Sequence, residues 1–95
     1  MVEIEVGYII ASHDVMILGK PVRYFYREEP DSNDDSGWRF FSGEETQEYA
    51  DEAGNFSMYN AKDIVHFQPN ISRFLSYDYP VEFIWDEILE TFVLG

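Results

Sequence analysis

A small α+β domain is the expectation for this chain: a largely antiparallel sheet, with two or three short helices inserted before the last strand or strands. Three observations lead there. Strand-like runs rich in aromatic and β-branched residues crowd the first half, at Tyr8–Ser12, Val22–Arg27 and Trp38–Phe41. Two stretches with helical spacing and capping residues follow, from Ser42 and from Asn60. Val81–Trp85 then alternates as a strand again. With 95 residues, no internal repeat and no dividing linker, residues 1–95 form one domain.

Taken in order, Tyr8–Ser12 reads as a strand and Val15–Leu18 as a shorter one. Leu18-Gly19-Lys20-Pro21 is a turn leading into Val22. In the next pair of strands, period-2 alternation sets Val22, Tyr24 and Tyr26 on one face with Trp38 and Phe40, the expected core side. The other face carries Arg23, Phe25 and Arg27 with Arg39 and Phe41. Pro30-Asp31-Ser32-Asn33-Asp34-Asp35-Ser36-Gly37 is polar and bounded by Pro and Gly, so it is the loop between them.

Ser42-Gly43-Glu44-Glu45 has capping-box spacing, which predicts a helix with Thr46, Tyr49, Ala50 and Ala53 on one face and Gly54 at its end. Asn60 is a good N-cap for a second helix with Ala61, Ile64 and Val65 inward, interrupted at Pro69. Ile71, Phe74 and Leu75 form a further helical turn. In the tail, Ile88, Leu89 and Phe92 suit a helix, while Thr91-Phe92-Val93 suits a final strand.

Composition excludes several functions. Nineteen Asp and Glu against six Lys and Arg give a net charge of −13, the wrong sign for binding nucleic acid through its phosphates. Without cysteine there is neither a disulfide scaffold nor a thiolate zinc site, and a reducing cytoplasm suits the chain. The longest apolar run, Tyr8-Ile9-Ile10-Ala11, is far short of a membrane span. Met1–Val6 carries acids where a signal peptide carries bases, so the matches to the glycosylation pattern at Asn55 and Asn70 are read as chance. Seventeen aromatic residues supply a core despite the charge.

Few constellations point to catalysis. Asp31, Asn33 and Asp35 occupy positions 1, 3 and 5 of a calcium-loop pattern, but Ser36 stands where it needs Gly and Ser42 where it needs Glu. A solvated turn is the expectation. His13 and His66 are the only imidazoles and lie far apart in sequence, too few for a transition-metal site. With no nucleophile–base pairing and no Gly-rich phosphate loop, no catalytic residue, no metal site and no cofactor is expected. Two charged surfaces remain. Asp34, Asp35, Glu44, Glu45, Glu48, Asp51 and Glu52 form an acidic surface suited to a basic partner, or simply a solvated face. Arg23, Arg27 and Arg39 form either a site for an anionic group or a structural set, with Glu28, Glu44 or Glu48 as partners and Phe25 and Phe41 stacked on the guanidinium planes.

The run Val22-Arg23-Tyr24-Phe25-Tyr26-Arg27-Glu28-Glu29-Pro30, followed by Asp35-Ser36-Gly37-Trp38-Arg39-Phe40-Phe41-Ser42-Gly43-Glu44-Glu45, resembles the immunity protein 33 family, formerly a bacterial domain of unknown function. That family shows a tyrosine-rich strand ending in Arg-Glu-x-Pro, an acidic loop, and then Asp-Ser-Gly-Trp-Arg-Phe-Phe-x-Gly-Asp/Glu-Glu. Ser42 fills the variable position and Glu44 the Asp/Glu position. Asn55-Phe56 and the helix after Asn60 are similar too, so the resemblance spans about residues 8–85. Ile84–Gly95 is more apolar than the family pattern.

The resemblance implies a small α+β protein of bacterial cytoplasm that serves as an antidote in a polymorphic toxin system, with no catalytic residues to carry over. The leading expectation is therefore a non-enzymatic protein that neutralises a cognate toxin domain, basic by charge complementarity, by binding it, without nucleic acid or membrane. The alternatives are a small regulatory module, homodimeric in one form, and a ligand-binding domain or enzyme using the arginine face.

Overall fold

The computed structural model describes residues 7–95; the acidic run Met1–Val6 lies outside the described residues. Six strands form one sheet in the order β4-β1-β3-β2-β5-β6. They are β1 (Tyr8–Ser12), β2 (Tyr24–Arg27), β3 (Asp35–Phe41), β4 (Phe56–Asn60), β5 (Val81–Asp86) and β6 (Thr91–Leu94). Only β1 and β3 pair in parallel; every other neighbour is antiparallel. Three short helices, α1 (His13–Met16), α2 (Gln47–Ala50) and α3 (Ala61–Phe67), and 3₁₀ turns at Ala53–Asn55 and Pro69–Phe74 complete an α+β fold.

Several local signals act as the sequence suggests. The Asn60 side chain accepts from the Lys62 amide and starts α3. Pro69 ends that helix and opens the 3₁₀ turn, which buries Ile71 and Phe74. The tail takes the strand option, with Thr91 to Val93 in β6. Others differ. Val15–Met16 lies in a helical turn, not a strand, because the Ser12 hydroxyl accepts from the Val15 amide and caps α1. The helix expected from Ser42 starts only after Thr46, whose hydroxyl caps Tyr49. Glu45 still reaches back to the Ser42 and Gly43 amides, at 2.8 and 2.9 Å. Phe56–Asn60 forms an edge strand where none was expected.

The facing of β2 is the main correction. Phe25, opposite Phe40, is the core residue, while Tyr24 and Tyr26 point to the other face opposite Phe41 and Arg39. Trp38, Phe40 and Val22 are buried as expected. Val22, however, precedes the strand. Its amide donates to Gln68 Oε1 at 2.8 Å and its carbonyl accepts from Gln68 Nε2 at 3.2 Å, so its burial does not set the strand's phase. Phe25 is also the cheaper choice, since it buries no hydroxyl that needs a partner. Its ring meets Trp38, Phe40, Phe74, Phe83 and Phe92 at centroid separations of 4.8–5.9 Å. Ile64, Ile71 and Leu75 from the helical layer close this core over one face of the sheet.

Gly37 interrupts β3 in the left-handed region at φ +87°, and a Cβ there would overlap the Glu28 carbonyl oxygen. Only glycine fits that close approach.

Candidate partner-binding surface

Among the described residues, the second face of the sheet carries no helical layer like that of the first. Register writes two rows across it. One runs Met58, Ile10, Arg39, Tyr26, Glu82; the other runs Phe56, Ser12, Phe41, Tyr24, Ile84, Val93. Tyr24, Tyr26 and Phe41 stack together at 5.6–5.9 Å, and Phe56 bridges Phe41 to Tyr49. Met58 and Ile84 are exposed on this face.

The segment after Ser42 crosses part of the face. Glu45 anchors it: Oε2 accepts from the Ser12 hydroxyl at 2.6 Å and from the Ser42 amide. Burial opposes ionisation of Glu45, but these hydrogen bonds outweigh it and hold its carboxyl below the usual range. Two hollows of about 540 and 500 Å³ flank α2. Tyr24, Ile84 and Trp85 line the first; Ile10, Tyr26, Phe56 and Met58 line the second. Phe41, Gln47 and Ala50 border both, so α2 stands between them.

The expected acidic residues divide into two groups. Glu44, Glu48, Asp51, Glu52 and Asp34 are exposed. Glu44 approaches Lys20 at 3.8 Å and Asp51 accepts from Gln47, while Glu52 caps Gly54. Glu48 meets no cation within salt-bridge distance among the described residues. Glu45 and Asp35 instead serve the interior. Asp35 receives a two-pronged contact from Arg39, at 2.8 and 2.7 Å, plus the Asp31 and Gly37 amides. The Arg39 guanidinium holds the Asp35 carboxyl far below the ordinary carboxylate range. The same contact, aided by Glu28 at 2.8 Å, holds Arg39 further above its already high value. With Asp35 so engaged, the Asp31–Asp35 loop is a braced turn.

The three arginines do not converge. Arg39 lies on the open face, sealed beneath its carboxylates. Arg27, opposite Trp38, lies on the core side, donates to the Ser36 and Tyr77 carbonyls and stacks on Trp38 and Tyr79. Arg23, just before β2, sits 4.5 Å over the Trp85 ring. The shared face expected for Arg23, Arg27 and Arg39 is thus replaced by three separate structural sites. Of the expected partners, Glu28 pairs with Arg39, whereas Glu44 pairs with Lys20.

Tyrosines tune the open face. Burial, and then a hydrogen bond donated to Glu82 at 2.8 Å, push the Tyr24 phenol up to about 12. Burial and the Glu28 charge raise Tyr26 as well. Both rings stay neutral, so the face is aromatic at its centre and anionic around it. His13 contacts Ser57 at 2.9 Å, and His66 is exposed late in α3. Among the described residues no three His, Asp or Glu side chains group as a metal site, and no helix is long and apolar enough to cross a membrane.

No curated protein and no solved structure matches this chain. A family profile described as "Immunity protein Imm33 domain" matches residues 9–91, spanning every strand but the last. The chain therefore belongs to the Imm33 immunity-protein family.

Proposed function

We propose that this protein neutralises a cognate toxin domain in the cytoplasm by binding it directly, without turnover, and that the toxin presents a basic surface. Family membership supports the immunity role. The observation that carries direct binding is the open sheet face: an aromatic centre of Tyr24, Tyr26 and Phe41, exposed Met58 and Ile84, and an anionic border at Glu44, Glu48, Asp51 and Glu52. An apolar centre with a charged rim is how stable interfaces are built. A basic partner fits because the chain carries −13, and opposite fields accelerate capture. A second copy of the chain would bring equal charge against that border.

The test uses the purified cognate toxin domain, with its activity disabled for handling. A one-to-one complex is expected, together with rescue of cells that express the active toxin. Association should slow as salt rises, because the Debye length shrinks from about 30 Å at 0.01 M to about 10 Å at 0.1 M. Glu44→Gln, Glu48→Gln and Glu52→Gln together should lower the on-rate about tenfold at low salt while changing the off-rate little. A salt-independent on-rate, unchanged in that variant, would remove α2 and its flanks from the encounter surface. Absence of any complex would overturn direct binding.

A further inference from the structure

The connection between β5 and β6 has an unusual composition. Tight hairpin turns favour Gly, Asn and Asp, which tolerate left-handed backbone and face water cheaply. Here the four connecting residues are Glu87-Ile88-Leu89-Glu90. Ile88 is 92% exposed and Leu89 64%, so neither contributes materially to this chain's own core. Two neighbouring large aliphatic side chains held out into water are a liability unless something covers them.

The turn is also braced. Asp86 Oδ1 accepts from both the Ile88 and Leu89 amides at 2.9 Å. Beneath it Trp85 packs edge-on against Phe92 at 5.2 Å. Glu90 takes φ +52°, a conformation usually left to Gly or Asn. The tip is therefore pre-shaped, and little conformational freedom remains to be lost on binding. Glu87 and Glu90 flank the aliphatic pair, and neither meets a cation within salt-bridge distance among the described residues. Glu87 also borders the hollow lined by Tyr24, Ile84 and Trp85, so the tip continues the open face.

We propose that the tip is a plug: Ile88 and Leu89 seat in an apolar cleft of the toxin domain, whose rim places Lys or Arg opposite Glu87 and Glu90. This rests on the toxin-binding reading above. The flanking carboxylates select the occupant. A second copy would set glutamate near glutamate, and an anionic lipid surface would repel them; a cleft with a cationic rim satisfies both the apolar pair and its flanks.

The experiment measures binding of the same disabled toxin domain to the wild-type protein, to Ile88→Ala with Leu89→Ala, and to Glu87→Gln with Glu90→Gln. Both variants should keep the wild-type urea midpoint, because the altered side chains are exposed. The alanine pair should weaken affinity about 100-fold, mostly through a faster off-rate. The glutamine pair should slow association several-fold at low salt and lose that difference at 0.5 M salt. Wild-type affinity in the alanine pair, with the wild-type complex intact, would overturn the plug alone. No complex with the wild-type protein would overturn the plug together with the toxin-binding reading.

Discussion

Replacing Phe25 by Ala should remove a large share of this protein's stability, whereas replacing Tyr26, its neighbour in β2, should not. Phe25 is fully buried, with five aromatic rings around it from β3, β5, β6 and the 3₁₀ turn. Truncating a buried Phe costs about 3–5 kcal/mol, the lost transfer energy plus the cavity left behind. The upper end applies here, because rings held by sheet register on several sides cannot collapse into the gap. A domain of this length has about 5–14 kcal/mol to lose. With a urea slope of about 1.5 kcal/mol per molar, the midpoint should fall by about 3 M. Tyr26 is half-buried on the open face, and its loss should cost about 1 kcal/mol, mostly its stacking on Phe41. Equilibrium urea unfolding followed by tryptophan fluorescence reads both. If Tyr26→Ala shifts the midpoint more than Phe25→Ala, the facing of β2 is inverted and the whole open surface is misplaced.

Trp38→Ala should likewise cost about 3–5 kcal/mol, read as a lowered urea midpoint. Asp35 titrates lower in the folded chain than in the unfolded one, so its contribution is complete above about pH 4 and drains as acid protonates it. Asp35→Asn should therefore lower the melting temperature at pH 7 and flatten the acid limb of a melting series from pH 7 to 2. Ultraviolet titration should show the Tyr24 phenol ionising at about pH 12; in Tyr24→Phe that absorbance step should be lost. Added sodium chloride should raise the melting temperature at pH 7, because screening relieves the repulsion among the charges that make up −13.

What could be read from sequence follows how far apart the deciding partners lie. The Asn60 cap, the stop at Pro69 and the buried Trp38 and Phe40 depend on neighbours or on plain hydrophobicity, and they were legible. Val22 misleads about the phase of β2 because it is buried ahead of the strand by Gln68, a partner 46 residues away. Strand β4 exists because β1 lies beside it, and nothing within Phe56–Asn60 announces that partner. The family resemblance rests on the Asp35–Glu45 block, and the structure gives that block a physical role. Asp35 braces Arg39, Gly37 admits the Glu28 carbonyl, and Glu45 locks the crossing segment to Ser12. The pair Asp35 and Arg39, four apart, was the available signal for an ion pair, but the sequence treated them as belonging to separate surfaces. The acidic border was visible from composition; the aromatic face it surrounds required the correct facing of Tyr24 and Tyr26. The apolar excess near the C-terminus is plain in the sequence, whereas the hairpin tip that carries part of it is visible only in the fold.

The strand order has a consequence for how the chain acquires its shape. Tyr24 pairs with Ile84 and Tyr8 with Asn60, so among the described residues the two hairpins β2–β3 and β5–β6 are the only pairings between strands adjacent in sequence. Closing such distant contacts is slow, and mixed topologies of this kind fold in milliseconds to seconds. A ribosome adds about 5–20 residues per second, so β2 waits several seconds with an unpaired edge before β5 exists. During that wait the Phe25 cluster lacks Phe74, Phe83 and Phe92. The excess of carboxylates gives the nascent chain a defence in this interval: like charges hold unfinished copies apart until the last strands arrive.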